Sequence, residues 1–365
     1  MPVTNEIVNT QSTAAAQVVL EPAHNIISSL RLLHKHERMS GTNVWVESTA
    51  VAMSPAQKHQ NKLVMDGLYH AVEPEHSWSS FPNYVDHLSQ SDPYHLRQKI
   101  FNIYEKICDS SEKTGVPLDI DTVLASPGAY LDYLFERFGD SHIDVQIETE
   151  TYALLKEPER LRSTIVAHLR DMWDTYLEEE WNKQKPLLLS CIQAFQQIDF
   201  SGLTLEESME VVLGSDVPHW WERINKWPQL STIKFVPTPH LGPYIHTFKT
   251  LNNNVMWVAF GAKMPQGSQN IVPDLSRSDI LVRVNALADD TRLRIIQIIK
   301  DKGELRSQDI REYLDLSQSA GSRHLKQLSA TGYLIERRVE GSKCYSLNRN
   351  RIEDTLNALS HFLIS

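Results

Sequence analysis

Leu316-Ser317-Gln318-Ser319-Ala320-Gly321-Ser322-Arg323-His324-Leu325-Lys326-Gln327-Leu328 is the stretch on which the reading of this chain turns. Ser317 stands where a helix N-cap belongs, because its hydroxyl can accept from the free N–H groups of a first turn. A helix over 318–331 then buries Leu325 and Leu328, and Gly332 closes it. The other side of that helix carries Gln318, Ser319, Ser322, Arg323 and Lys326, none of them apolar, and His324 joins them as a candidate contact. Gln and Ser can bond base edges, and Arg can take two acceptors of a guanine or pair with a phosphate. Any one of these residues would suit a solvated face; the whole set, behind a capped helix, points to DNA.

Upstream, Asp290 reads as the cap of a helix over 291–302, with Leu293, Ile296 and Ile299 inward and Gly303 at its end. Ser307 reads as the cap of a second, short helix with Ile310 and Leu314 inward. Asp315-Leu316 leaves a two-residue turn before the third helix. Two short helices joined so tightly are a helix-turn-helix, whose second helix enters the major groove. Downstream, 333–338 and 343–347 are two β-rich runs around a Gly341-containing turn, a hairpin signature. Arg337, Arg338 and Lys343 make it basic, so it reads as a wing that neutralises phosphates.

Residues 280–350 resemble the DNA-binding domain of the ArsR-type transcription regulators. The resemblance rests on Leu287-Ala288-Asp289-Asp290-Thr291-Arg292-Leu293-Arg294-Ile295, on Leu316-Ser317-Gln318-Ser319 and on Ser322-Arg323-His324-Leu325-Lys326-Gln327-Leu328. It covers about a fifth of the chain. It implies a homodimer on a double-stranded operator, with the outer helices of the domain, 279–287 and 352–364, as the subunit contact. Ile352, Leu356, Leu359 and Leu363 share one face of the latter. There are two departures. Metal sensors of the family carry a Cys-x-Cys pair where this chain has Leu305-Arg306-Ser307-Gln308-Asp309, and the last helix offers only Glu353, Asp354 and His361. Neither spacing suits a thiophilic ion, so no metal and no cofactor is expected. Gly321 stands where the family places an apolar residue, at a cost of about 1 kcal/mol in helix propensity relative to alanine.

The formal net charge is -10, unusual for a DNA binder, but it is unevenly spread. Residues 279–350 hold about 13 Lys+Arg against about 10 Asp+Glu, roughly +3, while residues 1–278 are near -12. The DNA surface is therefore confined to the C-terminal part. Three scattered cysteines, Cys108, Cys191 and Cys344, argue for a reducing compartment. With no membrane-length apolar run and no signal segment evident, a cytoplasmic protein is expected.

The fold class expected is α+β, mainly α. A large helical N-terminal domain (1–275) carries a small antiparallel sheet, and a winged helix-turn-helix domain (279–365) follows. Residues 1–13 read as loose, 14–20 as a strand, and 23–35, 60–69, 80–88, 93–107 and 119–138 as helices, the last broken near Pro127-Gly128. A long helix is expected over 158–184, kinked or ended at Pro186 and resumed over 187–197. His168, Asp171, Thr175 and Glu178 share one side of it and read as a solvated polar face rather than an acid–base or metal set. After Asp199 the pattern turns to strands at 232–236, 244–249 and 255–260. Leu251-Asn252-Asn253-Asn254 is a turn tolerant of positive φ, Pro237 to Pro243 a stiff crossing loop, and 264–276 a linker.

Trp220, Trp221, Trp227, Trp257 and Tyr244 gather in sequence around that sheet, as an aromatic core or as the wall of a small-molecule pocket. No phosphate loop, nucleophile elbow or His-Glu-x-x-His is present, so no enzyme is expected. The function expected is a sequence-specific transcription regulator governed by a non-metal signal, with a small-molecule effector at the N-terminal domain. The alternative is an enzyme or metabolite-binding protein whose DNA-binding tail regulates its own operon. A thiol switch at Cys344, in the basic wing, is a third reading, set against a plain strand cysteine.

Overall fold

The computed structural model describes residues 15–36, 43–107, 119–139, 143–213, 230–242, 244–249, 254–263, 265, 277–339 and 342–364, some of them, such as Arg338, Glu353, Asp354 and His361, by backbone alone. The expectations for 1–13, Cys108, Trp220, Trp221, Trp227, 251–253 and nearly all of the 264–276 linker lie outside the described residues.

The chain opens with strand β1 (Ala15–Val18) and helix α1 (Pro22–Lys35). Helices α2 (Val44–Ala52), α3 (Pro55–Lys62), α4 (Tyr69–Val72), α5 (Phe81–Gln90) and α6 (Pro93–Ile107) follow, then α7 (Ile120–Val123), α8 (Pro127–Phe138), α9 (Val145–Lys156) and α10 (Pro158–Met172). Helix α11 (Glu178–Phe195) continues past Pro186 rather than ending there. The break in the long helix comes earlier, at a π-helical turn over Trp173–Leu177. That wider turn changes the phase of the helix faces. His168 is buried and within 3.0 Å of Asn61 Oδ1, whereas Asp171, Thr175 and Glu178 are exposed. The four do not form one face.

Helix α12 (Leu205–Leu213) occupies ground where only strands were expected. Its signal is a capping box: Glu207 N–H donates to Thr204 Oγ1 (3.2 Å) and Thr204 N–H to Glu207 Oε2 (2.7 Å). Strands β2 (Thr232–Thr238), β3 (Ile245–Lys249) and β4 (Val255–Gly261) then complete a four-stranded sheet in the order β1-β2-β4-β3. The β3–β4 hairpin is antiparallel as expected, and Asn254 takes the positive φ (51°) that its turn requires. The rest is a correction, for β1 pairs parallel to β2 and β2 parallel to β4. Parallel neighbours need a long crossover, and the whole run from α1 to α12 supplies it between β1 and β2. The unbroken apolar run from Met256 to Phe260 is the mark of a strand covered on both faces. One face, with Val236, Phe248, Trp257 and Ala259, packs on α1 and the main helical core. The other, with Ile233, Phe235, Met256, Val258 and Phe260, packs on α11 and α12.

The C-terminal part has its own core. It comprises α13 (Arg277–Leu287), α14 (Asp290–Lys302), β5 (Leu305–Arg306), α15 (Ser307–Leu314), α16 (Gln318–Ala330), β6 (Leu334–Val339), β7 (Ser342–Leu347) and α17 (Arg349–Ile364). Ile295, Ile299, Ile310, Leu314, Leu325 and Leu328 are its buried centre. Leu293, expected inward, is 50% exposed, and Ile295 takes that place.

Candidate DNA-binding surface

Three local devices set the helices. Asp289, not Asp290, caps α14, its carboxylate accepting from Arg292 N–H at 2.9 Å. Ser307 is the first residue of α15 rather than its cap, and Asp309 reaches back to Arg306 N–H (3.2 Å). Ser317 caps α16 through Ala320 N–H (3.2 Å). The turn between α15 and α16 is carried by Asp315 in the left-handed region (φ 51°), and Gly303 and Gly332, at φ 80° and 79°, end α14 and α16.

Arg292 is the centrepiece beneath this surface. It is buried, with Nε donating to Ala286 O (2.6 Å), Nη1 to Gln327 Oε1 (2.7 Å) and Nη2 to Asn285 O (2.8 Å), and Asp289 lies 3.7 Å away. One guanidinium thus ties the end of α13 and the start of α14 to the inner face of α16. Tyr333 does the same for the outer helices, its hydroxyl meeting Arg283 O (3.1 Å) and Thr355 Oγ1 (3.2 Å).

On α16, Gln318, Ser319, Ser322, Arg323 and Lys326 are all exposed, opposite the buried Leu325 and Leu328. Neither Arg323 nor Lys326 has a carboxylate partner among the described residues. His324 is not part of this face. It follows Gly321 by one turn and precedes Leu328 by another, so it points inward, 8% exposed, with Nδ1 3.7 Å from Asp289 Oδ1. Burial holds its pKa below the ordinary value, so it is neutral near pH 7.

The hairpin is antiparallel and gains a third strand, β5, on β7, too short for the sequence to signal. Its positive charge is already compensated in part. Arg337 Nε donates to Glu304 Oε2 (2.5 Å), and Lys343 Nζ lies 2.6 Å from Glu336 Oε1. Arg338 pairs through its backbone with Lys343; its side chain is outside what is described. Cys344 is 4% exposed on the inner side of β7, where a thiol meets little solvent.

Gly321 is buried where α15 crosses α16. A Cβ built there would lie 2.5 Å from Arg311 Cγ and 2.8 Å from Arg311 Cδ. The arginine stem occupies the space of the apolar side chain that the family pattern places at this position.

In the N-terminal region, Ser29, His240 and Glu180 form a Ser–His–carboxylate line: His240 Nδ1 to Ser29 Oγ 2.7 Å, Nε2 to Glu180 Oε1 3.3 Å. All three are buried, and Ser29 Oγ donates to Asn25 O within α1 (3.0 Å). Trp45 stacks on the imidazole at 4.2 Å. A hydroxyl so enclosed offers a substrate no approach, and the line acts as a tie between α1, α11 and the loop after β2. Among the described residues, no group of three or more His, Cys, Asp or Glu could hold a metal ion, and no helix is long and apolar enough to cross a membrane.

Residues 289–336 match the family model described as bacterial regulatory protein, arsR family. The chain is 48% identical over 52 residues to the arsenic resistance transcriptional regulator ArsR1 of Pseudomonas putida, covering 14% of this chain and 41% of that protein. It is 30% identical over 78 residues to the transcriptional repressor SdpR of Bacillus subtilis, covering 21% of this chain and 86% of that protein. The matched segment thus spans less than half the length of the first relative and most of the second, and no solved structure matches. With its helix-turn-helix and wing in that order, the chain belongs to the arsR family of bacterial regulatory proteins.

Proposed function

We propose that the protein is a transcription regulator that reads a palindromic operator as a homodimer and is governed by a non-metal signal received in its N-terminal region. The observation that carries the DNA reading is α16. Its leucines fasten it to the domain, while five polar side chains stand outward and its two cations have no carboxylate to satisfy them. Arg323 and Lys326 are free to take guanine edges or phosphates without first breaking an ion pair. Arg337 and Lys343 must exchange Glu304 and Glu336 for phosphate, so they contribute less. Gln318, Ser319 and Ser322 supply neutral contacts at the start of the helix, and His324 supports the helix from within.

The dimer contact is proposed for the outer helices. Leu281 on α13 and Leu356, Phe362 and Leu363 on α17 are 48%, 54%, 50% and 70% exposed, with Ile352 and Leu359 half-buried beside them. Apolar side chains gathered on two adjacent helices are a surface that a second copy would cover.

The test is operator binding measured against salt. Arg323→Ala should cost about 1–3 kcal/mol and relax the choice of base at its position. Lys326→Ala should weaken all sequences alike and lower the salt slope by about one. Unchanged affinity and slope in both variants would sink the groove assignment. Turnover of a substrate by the full chain in a broad screen would favour an enzyme instead.

A further inference from the structure

His24, Ser28 and Arg31 recur on one side of α1, and that side lies against the sheet. Opposite them stand His246 and Phe248 of β3 and Trp257 of β4, the cross-strand partner of Phe248. A helix-on-sheet contact is ordinarily apolar. Here it holds two histidines and a guanidinium, and their hydrogen bonds do not close.

Arg31 Nη1 lies 3.0 Å and Tyr69 Oη 2.8 Å from the same atom, His246 Nε2. Arginine only donates, so Nε2 must be the unprotonated nitrogen, with one lone pair for two donors. The imidazole hydrogen is then on Nδ1 and directed at Ser28 Oγ (3.0 Å), which leaves the Ser28 hydroxyl hydrogen free as well. Burial, with the charges of Arg31 and Lys35, keeps His246 neutral, and burial keeps Tyr69 protonated. Arg31 lies 4.0 Å over the Tyr69 ring and has no carboxylate partner among the described residues. Tyr69 Oη can accept from Arg31, yet His246 Nε2 still meets two donors with one lone pair.

A second, independent sign lies one aromatic ring away. His246 and His24 both pack on Phe248, at 4.2 and 4.8 Å between ring centroids. His24 is fully buried and makes no short hydrogen bond, with the Pro74 backbone beside the ring and Glu21 Oε2 3.7 Å from Nδ1. It stacks on Trp257 at 4.3 Å, whose indole N–H is also buried and unpartnered. Buried polar groups left open in this way call for a missing partner, because each forfeits solvation without return.

We propose that the partly exposed edge of this strip, where Arg31 and His246 stand, is a binding site for a small carboxylate held by Arg31 and Tyr69. A carboxylate matches the two-pronged guanidinium and accepts from the surplus N–H and O–H groups. One arginine, with Glu73 near enough to raise the Tyr69 pKa, favours a single negative charge over a phosphate dianion. The inference deepens the reading of the N-terminal region as the sensor, and its binding step needs no DNA.

The full-length protein without DNA is titrated with sodium benzoate, with sodium phosphate, and with sodium chloride at matched ionic strength, and melting and tryptophan fluorescence are followed. Benzoate alone should raise the melting temperature by several degrees and change the tryptophan emission. Arg31→Gln should weaken benzoate about tenfold or more and Tyr69→Phe a few-fold. If Arg31→Gln does not fold, Tyr69→Phe decides. No response to benzoate, an equal response to phosphate or chloride, or unchanged affinity in the folded variants overturns the proposal. Operator binding is measured separately in the absence of benzoate. Its failure would break the DNA reading and leave the carboxylate site standing.

Discussion

Two buried clusters, one in each part of the chain, hold their polar groups in opposite ways. In the C-terminal domain the deeply placed cation, Arg292, has its three nitrogens committed to Ala286, Gln327 and Asn285. In the N-terminal region His246 takes two donors on one lone pair, and the Trp257 indole N–H is buried without a partner. A saturated network fixes a shape, as a domain that must present one helix at a fixed angle requires. An unsaturated one is costly to the empty state and lowers the cost of a ligand's arrival. The contrast fits the proposed division of labour, a rigid DNA reader with an adaptable sensor.

The largest test of this contrast is acid. Burial lowers the pKa of His24 to about 3 and of His168 to about 4, and holds His34, His240 and His246 below the ordinary value too. These groups take up protons on unfolding, so their stability contribution is present above pH 6.5 and is lost as pH falls toward their native pKa values. Each costs about 1.4 kcal/mol per pH unit in that window. Glu148, raised to about 7 by burial, and Glu21, raised by burial, act in the reverse sense and offset part of the loss. From pH 7 to pH 5 the N-terminal region should therefore lose several kcal/mol, whereas the C-terminal domain carries one such described histidine, His324. All eight tryptophans lie between Trp45 and Trp257, so indole fluorescence follows the N-terminal region alone. Urea midpoints by that probe that hold constant from pH 7 to pH 5 would remove the contrast.

The next test works from the other side. Arg292→Ala leaves Gln327 and two backbone carbonyls without their donor and should cost the C-terminal domain about 3 kcal/mol. Operator binding and amide protection over 279–364 should fall, with the tryptophan melt unmoved. A shifted tryptophan melt would mean that the two parts share stability.

How much of this was legible differs between the two parts for a physical reason. The C-terminal helices announce themselves locally: Ser317 caps within three residues, and Gly303 and Gly332 end helices where only a positive φ serves. Apart from the unsignalled β5, the errors there are of one or two positions, where neighbours compete. Asp289 and Asp290 both fit a cap, and the burial of Arg292 settles it; His324 lies between exposed residues in sequence but faces inward. In the N-terminal region most helices were readable from apolar spacing, while α2, α9 and α12 were missed, the last despite the Thr204–Glu207 capping box. The antiparallel expectation for the sheet failed because strand sense depends on what lies between β1 and β2, not on either strand. The histidine strip left no local trace, since Ser28 and His246 meet across 218 residues.

The smallest effect concerns Gly321, one of the two points where the C-terminal part departs from the family pattern. Alanine there should gain about 1 kcal/mol of helix propensity, but its Cβ would overlap the Arg311 stem at 2.5 Å. Arg311 is half-buried and flexible, so it can swing aside at a cost that cancels most of the gain, and Gly321→Ala alone should be close to neutral. In an Arg311→Ala background the overlap is gone, and the same substitution should stabilise by about 1 kcal/mol. The coupling energy between the two sites, from urea unfolding of the four proteins followed by tyrosine emission or amide exchange, is the quantity to measure. Equal effects of Gly321→Ala in both backgrounds would mean that the glycine is not there to seat the arginine. A coupling near 1 kcal/mol would show that this chain replaced a buried apolar side chain with the stem of a cation beside its recognition helix.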